Sequence, residues 1–217
     1  MRDILLVALS LVVCAMAAPS LGDIVPAGVD DKATLGDWLG VYGSEGYILC
    51  SYDGVGVDRA SLPGYVSGYG LTDVSMWVWN DPSAYPQGLQ DPADPGHRVE
   101  ACWYRPDPYL WSVTLTPAET RQFKLALYFL DPENNRTATI TFAGAGLTGT
   151  DTIWQTYPGT WRVYDVSATA GQDITITFDQ IGGPNAVLSA MAFDPIPEPA
   201  TVALLVCGAA GLIRRRK

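Results

Sequence analysis

Histidine is almost missing: the chain has one, His97, among 217 residues. A single imidazole excludes a multi-histidine metal centre and leaves a Ser/His/Asp relay one available base. That base stands in a turn, Pro95-Gly96-His97-Arg98, and the chain contains no Gly-x-Ser-x-Gly element. Positive charge is scarce too, with 13 Lys and Arg against 23 Asp and Glu and a formal net charge of −10. A nucleic-acid binder needs a basic face, which this balance does not provide. Charged residues are 17% of the chain and apolar residues 48%, which excludes wholesale disorder and leaves ample material for a core. Sustained helical periodicity is absent between Asp23 and Pro195, and no internal repeat is visible.

What is present reads as β-structure. Glycine (22) and proline (16) are frequent, so turns are many. Between them lie short β-rich stretches: 74–79 (VSMWVW), 98–104 (RVEACWY), 110–115, 123–130 (FKLALYFL), 137–142 (TATITF), 161–166, 173–178 (DITITF) and 186–193. The two TITF stretches alternate strictly, the mark of a strand with one wet face, whereas 123–130 is almost wholly apolar and reads as central. Turn clusters at Asp81-Pro82, Asp91-Pro92, 144–149, Pro158-Gly159 and Gly182-Gly183-Pro184 separate them. Eight to ten short strands at this spacing predict one antiparallel β-sandwich or jelly roll over 34–195, after a polar leading segment at 18–33.

The two ends read as addresses. Residues 4–13 (ILLVALSLVV) form the apolar stretch of a signal peptide spanning 1–17, and Ala15 and Ala17 set cleavage before Ala18. Cys14 follows the bulky Val13, which argues against a lipidation signal. At the other end Pro197-Glu198-Pro199 precedes an apolar run at 201–213 and a basic terminus, Arg214, Arg215, Arg216 and Lys217. At ~1.5 Å per residue the run spans roughly 20 Å, a short membrane helix that needs bilayer thinning. The basic cluster would stay cytoplasmic and leave the body outside. A buried C-terminal helix is the alternative, but the run has no polar face. This tail, 196–217, resembles the PEP-CTERM sorting signal of Gram-negative bacteria. The resemblance implies an exosortase partner that cleaves near the motif, an inner-membrane precursor, and a product at the cell surface or in an exopolysaccharide matrix. Without Arg2 and the four tail cations the body keeps 8 basic groups, and without Asp3 and Glu198 it keeps 21 acidic ones. Its charge of −13 favours a soluble monomer.

A second resemblance covers 34–194. Gly36-Asp37-Trp38-Leu39-Gly40-Val41-Tyr42-Gly43 and Glu45-Gly46-Tyr47 open it, Leu130-Asp131 and Asn135-Arg136 lie within it, and Asn185 to Ser189 and Phe193-Asp194 close it. It looks like a β-sandwich module of large bacterial secreted proteins, similar in style to galactose-binding-like modules. The resemblance carries over no ligand residues, and Pro132-Glu133 depart from its usual pattern after Leu130-Asp131. The glycine-rich opening reads as a structural corner, with a ligand loop as the alternative.

Seven Trp and eleven Tyr are many for this length, and exposed rings are what a sugar-binding surface needs, because pyranose C–H faces stack on π-systems. Trp77 and Trp79 share one face of a strand, either an outward platform or inward core. Trp103 alternates with Val99 and Ala101 and is expected to be buried. Tyr85 and Tyr157 stand beside prolines in loops and are candidate contacts. The acidic loops Asp91-Pro92-Ala93-Asp94 and Asp131-Pro132-Glu133-Asn134-Asn135 offer oxygen ligands for a structural Ca²⁺, though neither has EF-hand spacing, and a solvated turn is the alternative. Cys50 and Cys102 either bridge, closing a loop of about 50 residues worth ~4 kcal/mol, or are two buried thiols. No carboxylate pair stands out for glycoside hydrolysis, so no catalytic residue and no cofactor are expected. The sequence therefore points to an exported, non-enzymatic β-sandwich that binds glycans weakly. A purely structural module and a secreted glycan hydrolase are the alternatives.

Overall fold

The computed structural model describes residues 30–106, 110–144, 147–153 and 156–196. The signal-peptide residues Ala15, Ala17 and Ala18, most of the leading segment, Trp154 and the sorting tail at 197–217 lie outside the described residues. Within them the chain forms β1 (Gly46–Leu49), β2 (Arg59–Ser61), β3 (Val66–Thr72), β4 (Ser75–Asn80), β5 (Leu89–Gln90), β6 (Arg98–Pro106), β7 (Trp111–Pro117), β8 (Arg121–Leu130), β9 (Thr137–Gly144), β10 (Leu147–Ile153), β11 (Gly159–Ala168), β12 (Ile174–Gly182), β13 (Asn185–Leu188) and β14 (Ala190–Pro195). Every strand pairing is antiparallel, and no helix occurs among the described residues. The protein is an all-β sandwich.

Among the described residues three sheets form, in the orders β11-β8-β14-β1-β2, β10-β9-β12-β7-β3 and β13-β6-β4, with β5 also on β6. The first sheet has apolar material on both sides. Phe123, Leu125, Leu127 and Phe129 of β8 face the second sheet and meet Val113, Leu115, Ile140, Phe142, Ile174 and Ile176. Ala126, Tyr128 and Leu130 face the other way, into a second cluster with Trp38, Trp161, Leu89, Val99 and Ala101. A strand between two cores has no wet face, so its sequence loses alternation. This accounts for the unbroken run of β8. In β12 the alternation survives, with Ile174, Ile176 and Phe178 buried and the threonines between them on the outer face. Trp111 and Phe178 stack across β7 and β12 with centroids 4.0 Å apart.

The apolar stretch 186–193 is not one strand but two. It breaks at Ser189, whose amide donates to the Tyr128 carbonyl at 2.8 Å while its own carbonyl accepts from Cys50. β13 belongs to the third sheet and β14 to the first. The glycine-rich opening is a corner: Trp38 is buried with its indole N–H on the Gln90 carbonyl at 3.0 Å, and Tyr42 stacks on Trp161. The Asp194 carboxylate accepts the Gly43 and Ser44 amides, fixing the corner to the end of β14.

Several tyrosines link the elements through carboxylates or carbonyls: Tyr42 to Asp31, Tyr65 to Glu45, Tyr69 to Asp58, Tyr164 to Asp151, and Tyr52 and Tyr128 to backbone. Burial, reinforced by nearby carboxylates, pushes all six phenols well above the usual tyrosine range. A group whose pKa is raised by folding adds stability below its unfolded pKa and loses it as pH rises toward the folded value. The urea midpoint should therefore fall steeply above about pH 10, the ordinary tyrosine value. A midpoint unchanged up to about pH 11 would contradict the tyrosine linkage.

Candidate functional site

The site is built on the third sheet. In β6, Trp103 points into the inter-sheet core, and its indole N–H donates to Asp58 at 2.8 Å. Alternation then sends Cys102 and Tyr104 to the opposite face. Register places Trp77 across from Cys102, and Ser75 and Val187 on either side of Tyr104. Met76 and Val78 of β4 pack on the cores, so Trp77 faces outward and is 51% exposed. A bulge between Val78 and Asn80 interrupts the pairing of β4 with β6, and Trp79 stands within it. Together these side chains floor a groove of about 400 Å³, lined by Trp77, Trp79, Cys102, Tyr104, Glu133, Arg136, Asn185 and Val187. That volume lies within the range of small-molecule sites.

One wall comes from the loop between β8 and β9. Asp131 is 1% exposed and accepts the Arg136 guanidinium at 2.8 Å and its amide at 3.0 Å. Glu133 also contacts that guanidinium, and Arg136 Nε donates to Asn185 Oδ1 at 2.8 Å, joining the loop to β13. The guanidinium carbon lies 5.5 Å from the Trp79 ring centroid, a cation–π contact. Gly183 lets the loop approach. Its φ is +81°, and a Cβ there would fall 1.8 Å from the Asn135 carbonyl oxygen. Ring faces, a carboxylate, a carboxamide and a guanidinium thus border one open trough. The trough can stack a flat apolar face and hydrogen-bond a ring of hydroxyls.

The candidate contacts divide. Trp77 and Trp79 are brought together in the groove, whereas Tyr85 and Tyr157, 55% and 51% exposed, stand in loops that do not line it. Tyr104 was within reach of sequence reasoning, because the face opposite Val99, Ala101 and Trp103 must carry it. Glu133, Arg136 and Asn185 were not, since a loop and a strand start far apart in sequence carry no local sign of meeting. The acidic loops considered for Ca²⁺ have inward partners: Asp91 is paired with Arg59 and accepts the Ala93 amide, and Asp131 is paired with Arg136. Among the described residues no group of three or more His, Cys, Asp or Glu side chains could hold a metal ion. A second hollow of about 430 Å³ beside Val41, Tyr42, Lys124, Val163, Asp194 and Pro195 offers one ring, and that ring is stacked on Trp161.

Cys50 and Cys102 are free buried thiols rather than a bridge. The reason is geometric: Cys50 belongs to the inter-sheet core, while Cys102 sits on the far face of β6 under the groove. Burial pushes both thiols up, with Asp58 adding to the effect at Cys50 and Arg136 opposing it at Cys102. Thiolate, not thiol, is the reactive form. Alkylation of the full chain near pH 7, read by peptide mapping, should leave both residues unlabelled until denaturant is added. Rapid native labelling of Cys102 would mean that the groove floor opens.

No protein-family model and no curated protein matches the chain. Among solved structures it is similar to a CBM35 from Paenibacillus barcinonensis, at 12% identity and TM-score 0.39, covering 61% of this chain and 98% of that one. It is also similar to TmCBM61 in complex with β-1,4-galactotriose, at 12% identity and TM-score 0.29, covering 61% of this chain and 88% of that one. A third likeness is to the enzymatically active domain of the bacteriophage CBA120 tailspike protein 4, at 18% identity and TM-score 0.33, covering 60% of this chain but 20% of that one.

Proposed function

We propose that the chain is a non-catalytic glycan-binding module that uses the groove on its third sheet. The observation that carries this reading is the pairing of an exposed ring, Trp77, with Trp79 beside a polar wall of Glu133, Arg136 and Asn185. A sugar chain needs both kinds of surface at once: rings for its C–H faces and hydrogen-bonding groups for its hydroxyls. Affinity electrophoresis of the full chain through gels containing different polysaccharides tests it. Retardation by at least one neutral or charged polysaccharide is expected, and free migration through all of them would refute the reading.

The module is proposed to work outside the cell, as a monomer at the surface or in the matrix of a Gram-negative bacterium, with exopolysaccharide as its partner. The sequence supports this through the order Pro197-Glu198-Pro199, apolar run, Arg214-Arg215-Arg216-Lys217, which fits an exosortase substrate held briefly in the inner membrane. Replacing Glu198 by Ala should leave an unprocessed, membrane-held precursor in the native host. Normal processing of that variant would end the sorting proposal without touching the groove.

A further inference from the structure

We infer that the groove takes uncharged sugar chains and excludes uronic acids, a specificity that rests on the glycan-binding reading above. Among the described residues Arg136 is the one cation that lines the groove, and its Nη1 and Nε are already committed. Its Nη1 contacts Asp131 at 2.8 Å and also Glu133, and its Nε donates to Asn185 at 2.8 Å. One cation therefore faces two carboxylates, and the cluster carries a surplus negative charge.

A ligand carboxylate would meet that surplus, and a two-pronged grip on the guanidinium would need the Nη1 or Nε hydrogens that Asp131, Glu133 and Asn185 hold. Asp131 is buried, so losing its partner strands a charge away from water, which costs far more than a surface ion pair returns. The bidentate, charge-assisted grip on Arg136 is thus closed to an incoming uronate. A neutral sugar meets no such barrier. Its hydroxyls can donate to the half-exposed Glu133 while its ring lies on Trp77. Like-charge rejection of this kind sets specificity as much as the attractive contacts do.

Titration calorimetry of the full chain with a neutral galactan, a neutral glucan and a polygalacturonate of matched length, at low salt, tests the inference. The wild type should bind a neutral chain and bind the polygalacturonate at least about tenfold more weakly. Raising the salt should narrow the gap, since screening acts on the charged ligand alone. Glu133→Gln removes the surplus charge and leaves Asp131 on Arg136. It should raise the ratio of polygalacturonate to neutral-chain affinity several-fold, with an unchanged urea midpoint as the folding control. Polygalacturonate binding equal to or tighter than neutral binding, and lost in Trp77→Ala, would overturn the specificity while leaving the glycan site standing. An unchanged neutral-to-acidic ratio in Glu133→Gln would also overturn it. Failure of the wild type to bind any of the three, or any polysaccharide in the gels, would remove the glycan reading and this inference with it.

Discussion

Trp77→Ala is expected to lower glycan affinity by about thirtyfold or more while leaving the fold intact. Truncating an aromatic anchor in a binding site costs about 2 kcal/mol or more, and each 1.4 kcal/mol is about tenfold in affinity. The ring is half in solvent, so its removal opens no cavity, and the stability change should stay within about 0.5 kcal/mol, as for exposed positions generally. Affinity from calorimetry and a urea midpoint on the same preparation separate the two effects. Unchanged binding by Trp77→Ala would mean that a retained polysaccharide sits elsewhere. The control is Tyr85→Ala, an equally exposed ring outside the groove, which should leave both measurements unchanged.

Arg136→Met should be the most damaging single change near the site, at about 3–5 kcal/mol, because it leaves the buried Asp131 carboxylate uncompensated. That is a large share of the ~5–15 kcal/mol that holds a domain of this kind together. Arg136→Lys restores charge but not the fork that reaches Asp131, Glu133 and Asn185 together, so it should recover only part of the loss. Asp131→Asn combined with Arg136→Met should be more stable than Arg136→Met alone, since no buried charge then remains unpaired. Urea midpoints of the three variants and the wild type give the ordering. If Arg136→Met falls within about 1 kcal/mol of the wild type, the pair is a surface ornament of ordinary strength and the loop does not depend on it. Glycan binding should fall with the loop, because its Glu133 and the Asn185 it holds form the groove wall.

The contrast between these two residues follows what a linear sequence can encode. Trp77 and Trp79 are two apart on a β-rich stretch, so their shared face was legible, and an aromatic pair on one face of a strand is a recognisable candidate. Which face it was could not be read, since a strand with core on one side and a groove on the other alternates in the same way in either orientation. The pairing of β4 with β6 decided it, by turning Met76, Val78 and Trp103 inward together. The thiols are a parallel case. Cys50 and Cys102 both fall in β-rich sequence, yet a bridge depends on the side of the sheet each one occupies, and Cys102 stands on the groove side of β6.

Composition and local pattern alone determined that this is a turn-rich, acidic, all-β domain with a single histidine. Those properties are sums over residues or short-range periods of two, and neither depends on how the strands meet. The break at Ser189, the two cores on either side of β8, and the union of Arg136 with Asp131, Glu133 and Asn185 depended on tertiary structure. Each is a contact between segments distant in sequence, and its energy comes from burial and charge pairing that exist only after the sheets have assembled.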